Sequence, residues 1–225
     1  MKVVLLHALP LDERMWEPQR SALSEHDVVS PNLYVLGNSM DAWANAILDR
    51  LEGPFVAVGA SMGGYCALAI ARKAPERLAG LVLAGSRADA DSPERREARA
   101  GTIRLVQEHG VEALWEDMRP KLFPEDAAAE VAGRAREIAL EQKPEGLVAA
   151  VEAIRDRSDS TDLVASLEVP LLVTVGDRDP FISVEEARGI AESAPKGRLH
   201  VFEGCGHLPS MQRPEEFNRL LVESL

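Results

Sequence analysis

One stretch constrains this chain more than any other. Val56-Ala57-Val58 is apolar, Gly59-Ala60-Ser61-Met62-Gly63 follows, and an Ala-rich apolar pattern runs on through Ala71. This succession reads as a buried strand, a sharp turn and a helix. The turn demands small residues. Gly59 and Gly63 let the strand and helix backbones approach closely, and the serine takes a strained φ/ψ at the apex. Its hydroxyl then projects above the sheet edge, beside N–H groups at the start of a helix that can hold a developing negative charge. As a bare pattern, Gly-x-Ser-x-Gly is a turn that also arises by chance. Between a strand and a helix it is a nucleophile elbow.

The rest of the chain supplies a sheet for that element. Val3 to Leu6 is a continuous apolar run, the mark of a strand buried on both faces, and the loop from His7 to Asp12 follows it. Ser21 to Leu23 closes a short helix, and Asp27 to Pro31 is a weaker edge strand. Met40 to Leu51 has helical spacing and stops at Gly53-Pro54. Phe55 to Val58 is the elbow strand, Gly63 to Lys73 its helix, and Leu78 to Ala84 a further apolar strand. From Arg87 to about Asp162 no strand-like run occurs. Helices are expected near 93–109, 111–118, 125–141 and 145–155. The alternation resumes with strands at Val169–Val175 and Leu199–Phe202, a helix at Val184–Ser193 and a closing helix from Pro214 to Leu225.

Strands alternating with helices predict an α/β fold, doubly wound, on a mainly parallel six-stranded sheet. The helical block is too long for an ordinary crossover. It is expected to sit as a cap over the carboxyl ends of the strands, where such sheets bind ligands. The expected division is a core of residues 1–86 and 163–225 and a helical cap or lid of 87–162.

Composition narrows the partners. Twenty-five Lys and Arg against 37 Asp and Glu give a net charge of −12, which argues against nucleic acid and against anionic membrane surfaces. No apolar stretch is long enough to span a bilayer, and the N-terminal run lacks the length and cleavage site of a signal peptide. Cys66 and Cys205 make neither a disulfide framework nor a metal pattern, so a cytoplasmic location and no metal are expected. The oligomeric expectation is a monomer or homodimer.

Two further loops carry chemistry. Gly176-Asp177-Arg178-Asp179-Pro180 follows the fifth strand, and Glu203-Gly204-Cys205-Gly206-His207 the sixth. In a parallel sheet both lie on the same edge as Ser61. A serine needs a base, and a histidine base needs an acid that fixes its tautomer. The loop after the sixth strand offers His207 as a candidate base, and the loop after the fifth offers Asp177 and Asp179 as candidates for the acid. With His7-Ala8-Leu9-Pro10-Leu11, these motifs occur in the order Ser, Asp, His.

Here the chain resembles the α/β-hydrolase superfamily over nearly its whole length, in particular small cofactor-free esterases and 3-oxoadipate enol-lactonase-like hydrolases. The resemblance implies Ser61 as nucleophile, His207 as base and Asp179, from the family's Gly-x-x-Asp pattern, as acid. It implies an oxyanion hole from the backbone N–H groups of Leu9 and Met62, and no cofactor. The implied activity is hydrolysis of a small-molecule ester or lactone through an acyl-enzyme. Perhydrolysis of the haloperoxidase type and C–C bond hydrolysis use the same triad elsewhere in the superfamily, and a non-catalytic ligand-binding member is a further alternative. The serine argues against the dehalogenase and epoxide hydrolase branches. Ala8 stands where the family often has Gly, and Ala60 where it often has His. The larger members open with an antiparallel hairpin, absent from this reading.

Trp16, Trp115 and Met118 are candidates for the substrate pocket, with helical core the plainer reading for Trp115. His7 is expected in a structural hydrogen-bonding role. The run Glu94-Arg95-Arg96-Glu97 reads as a solvated helix face.

Overall fold

A computed structural model describes residues 1–225. Six strands, β1 (Lys2–Leu6), β2 (Asp27–Val29), β3 (Phe55–Ala60), β4 (Leu78–Ala84), β5 (Leu171–Gly176) and β6 (Gly197–Phe202), form one sheet. Its order is β2-β1-β3-β4-β5-β6, and every neighbouring pair is parallel. The helices are α1 (Glu17–Ala22), α2 (Met40–Leu48), α3 (Met62–Lys73), α4 (Pro93–Leu122), α5 (Ala129–Leu140), α6 (Pro144–Arg155), α7 (Thr161–Ala165), α8 (Val184–Ser193), α9 (Pro209–Gln212) and α10 (Pro214–Val222).

The continuous apolar runs are explained by two cores. Side chains alternate across a strand, so a strand covered on both sides must be apolar at every position. Val4, Leu6, Ala57, Leu83 and Val173 pack with Trp43 of α2, Leu68 of α3 and Ala187 of α8. Val3, Leu5, Val58, Val82 and Leu172 pack on the opposite side with Trp16 and with Phe217 and Leu221 of α10. Each Leu or Val fully buried in this way stabilises the fold by roughly 1.5–3 kcal/mol.

The chain leaves β1 for the edge strand β2 on one side, and then builds the rest of the sheet on the other. The reversal lies between β1 and β3, and the crevice above it is the place where open α/β sheets hold ligands. Ser61 follows β3 there, and the loop carrying Leu9 follows β1.

Several boundaries differ from the sequence reading. The segment read as two helices at 93–109 and 111–118 is one path from Pro93 to Leu122 with a break at Gly110, whose φ is 80° and ψ −171°. Helix α5 begins at Ala129 rather than Glu125. Strand β5 begins at Leu171 rather than Val169. Pro170 has no N–H for the ladder, but its carbonyl accepts from the Leu81 N–H at 3.0 Å. Helices α7 and α9 are too short to show a period in sequence. No helix is long and apolar enough to cross a membrane, and no group of three or more His, Cys, Asp or Glu could hold a metal ion.

Candidate active site

The site begins with backbone packing. Ser61 has φ 49° and ψ −112°, and no other non-glycine residue has a positive φ. A strained backbone of this kind persists only where its surroundings hold it. The Ser61 N–H donates to the Ala84 carbonyl at 2.8 Å, and the buried Ser86 hydroxyl donates to the Ser61 carbonyl at 3.0 Å. A Cβ on Gly59 would overlap the Gly63 backbone, and one on Gly63 would overlap the Leu6 carbonyl. The glycines are therefore required by the closeness of β1, β3 and α3. Ser86 is a supporting residue with no sequence signal beyond its place after an apolar strand.

The loops after β5 and β6 bring Asp179 and His207 together. His207 Nδ1 is 2.7 Å from Asp179 Oδ2, and both side chains are almost fully buried. A carboxylate can only accept, so Nδ1 donates, and in the neutral imidazole the lone pair then lies on Nε2. The other Asp179 oxygen accepts from the N–H groups of Phe181 at 2.8 Å and Ile182 at 3.3 Å, which fixes the carboxylate. The Phe181 ring packs on the imidazole with centroids 4.5 Å apart. The His207 N–H donates to the carbonyl of Leu122, tying this loop to the end of α4. Asp177 is engaged elsewhere: its Oδ1 accepts from the Gly204 N–H at 2.7 Å.

Ser61 and His207 line one cavity of about 260 Å³, together with Leu9, Tyr65, Met118, Phe181 and three arginines. The Met62 N–H is the first of α3 and has no partner inside the helix. The Leu9 N–H likewise makes no backbone hydrogen bond. The Met62 side chain itself is core, so only its backbone is available.

Of the pocket candidates, Met118 reaches the cavity, and Trp16 and Trp115 do not. Trp16 is fully buried against Phe217, with ring centroids 6.0 Å apart, and Trp115 lies in the same core cluster. The arginine run is split. Arg96 pairs with Asp156 at the surface, but Arg95 and Arg99 line the cavity with Arg87. The missed signal was the i, i+4 spacing of Arg95 and Arg99, which puts both on one face of α4. Cys205 is buried and outside the cavity lining, and burial raises its thiol pKa.

His7 supports the loop carrying Leu9. Its Nδ1–H donates to the Ala8 carbonyl at 3.2 Å, and Nε2 accepts from the Leu33 N–H at 2.9 Å. Complete burial brings its pKa down to about 4, so the ring is neutral. Asp12, at the end of the same loop, is bonded by Arg14 and by Gln142 beyond α5. Burial pushes its carboxyl pKa up, but these hydrogen bonds outweigh it and hold the pKa below the usual range.

Residues 3–220 match the model of the alpha/beta hydrolase family. The chain belongs to this family. Among its relatives in the alpha/beta hydrolase family is the 2-hydroxy-6-oxo-6-phenylhexa-2,4-dienoate hydrolase of Comamonas testosteroni. The two are 30% identical over 175 residues, covering 75% of this chain and 61% of that protein's length. The pimeloyl-(acyl-carrier protein) methyl ester esterase of Aromatoleum aromaticum is 30% identical over 242 residues, covering 95% of this chain and 94% of that protein. A solved structure of a thermophilic esterase from Thermogutta terrifontis superposes with a TM-score of 0.93 at 37% identity, covering 99% of this chain and 88% of that one.

Proposed function

We propose that this alpha/beta hydrolase cleaves carboxylic ester or lactone bonds with Ser61, His207 and Asp179 as a catalytic triad. The observation that carries the reading is the buried 2.7 Å Asp179–His207 pair, whose imidazole shares a cavity with a serine at positive φ. Its likeness to full-length esterases adds support.

Nε2 of His207 takes the proton of the Ser61 hydroxyl as its oxygen attacks the acyl carbon. The N–H groups of Met62 and Leu9 receive the oxyanion. Collapse expels the alcohol, which takes the proton back from Nε2. Water then attacks the acyl-enzyme by the same route and releases the acid and free Ser61. Asp179 stays ionised and stabilises the imidazolium. Residues 87–162 serve as the cap, since Arg95, Arg99, Met118 and Ile154 line the cavity from that segment.

The test is hydrolysis of a p-nitrophenyl ester series from acetate to long chains, with fluorophosphonate labelling and Ser61→Ala. Turnover should fall by about 10⁴-fold or more in the variant, and labelling should vanish. Labelling of Ser61 without turnover of any ester or lactone would remove the esterase reading. It would favour hydrolysis of a carbon–carbon bond, perhydrolysis or a binding role at the same serine.

A further inference from the structure

The charged lining of the cavity has one sign. Arg87, Arg95 and Arg99 line it beside Ser61 and His207, and no carboxylate does, in a chain of net charge −12. The acids that hold these arginines stand outside the lining. Asp89 bonds Arg87 and Arg95, Glu186 bonds Arg87, and the fully buried Asp91 side chain bonds Arg99. Arg157 Nη1 also stands 2.7 Å from Asp91 Oδ1, as an ion pair whose angle does not make a hydrogen bond. Four guanidinium groups thus face three carboxylates, which leaves one positive charge in the cluster.

Asp91 is shared by Arg95, Arg99 and Arg157, and these arginines differ in the donors they leave free. Arg87 is used at all three nitrogens, on Asp89, Glu186 and the Phe181 carbonyl, whereas Arg95 bonds Asp89 and the Ala90 carbonyl through Nη2 alone and keeps Nε 3.7 Å from Asp91, so that only Nη1 is left over. Arg99 spends only Nε, on Asp91 Oδ2 at 3.1 Å. Its two terminal nitrogens have no acceptor in the protein. Asp91 therefore fixes the guanidinium from behind and leaves a two-nitrogen edge, which matches the two oxygens of a carboxylate. A neutral substrate filling this cavity would strip water from those donors without replacing it, a desolvation cost with no return. Ala98, between the two arginines in sequence, also lines the cavity and leaves room beside them.

We propose that Arg99 binds a free carboxylate of the substrate, so that the preferred substrate is an ester or lactone bearing a second, unesterified carboxylate. The inference rests on the serine-hydrolase reading for the scissile bond. A cavity of about 260 Å³ lies at the small end for ligand sites, so the chain between the carbonyl and the carboxylate is short.

Two measurements decide it. In a pH-stat, kcat/KM for monomethyl glutarate should exceed that for methyl pentanoate by about 10- to 100-fold, the range of a charge-assisted bidentate pair. Arg99→Met should collapse that ratio toward one, chiefly through KM, and Arg99→Lys should restore part of it. Calorimetric titration of the Ser61→Ala protein with glutarate and with its neutral diamide reads the same site without turnover. Glutarate should bind, the diamide should not, and adding Arg99→Met should abolish binding, with thermal melts confirming that each variant is folded. Equal turnover of the two esters, or glutarate binding unchanged by Arg99→Met, would overturn the proposal. If neither ester is cleaved and glutarate still binds through Arg99, the esterase reading falls and the carboxylate site stands.

Discussion

At the scale of single residues, His7 shows how burial sets both chemistry and stability. Its two ring nitrogens are bonded in the neutral form, and the charged form would strand a buried cation. The folded pKa of about 4 lies below the ordinary 6.5. Between these values the unfolded chain binds more protons than the folded one, so stability rises with pH across that window and is lost as pH falls through it. The contribution is roughly 3 kcal/mol in all. Denaturant unfolding at pH 7, 5.5 and 4 should show this loss, and His7→Gln should flatten the slope between 6.5 and 4. An unchanged slope would mean that other groups carry it. A structural hydrogen-bonding role for His7 was legible in the sequence, because the residue follows a buried apolar run. The arginines were not, since Glu94-Arg95-Arg96-Glu97 looks solvated until the direction of the helix is known.

At the scale of elements, α4 ties the helical segment between β4 and β5 to the loops above the sheet. Its first half presents Arg95 and Arg99 to the cavity, and its last residue, Leu122, accepts from the His207 N–H. Gly110 joins the two halves in a backbone region that is nearly glycine-only. A Cβ there would meet nothing within 4 Å, so its cost is conformational and not steric. Gly110→Ala should destabilise the protein by about 1–3 kcal/mol, read by denaturant unfolding. A neutral result would mean that the two halves can straighten freely. The elbow makes the opposite point, because there the glycines answer to close packing.

At the scale of the whole molecule, the sheet grades from a deep centre to thin edges. Strands β3 and β4 are paired on both sides and buried almost throughout, whereas β2 has three residues, one neighbour and partial exposure. Opening β2 requires little of the core to part. Native-state hydrogen exchange should find the amides of Phe55–Ala60 and Leu78–Ala84 exchanging only through global unfolding, and those of Asp27–Val29 much sooner. Equal protection would show that the edge and centre unfold as one unit.

The sequence by itself determined the α/β class, the six strands and the elbow. Apolar runs, helical spacing and the glycines around Ser61 reflect local sterics and burial, which are written along the chain. The order of Ser61, Asp179 and His207 was equally legible, since parallel strands place their following loops on one edge. Residue type alone left Asp177 and Asp179 open, and only the family resemblance singled out Asp179; the tertiary structure places Asp179 at His207 and Asp177 at the Gly204 N–H. It also placed Trp16 and Trp115 in the core and Arg99 in the cavity. Those outcomes depend on how helices distant in sequence lie over the sheet, where long-range packing chooses between faces that composition leaves equivalent.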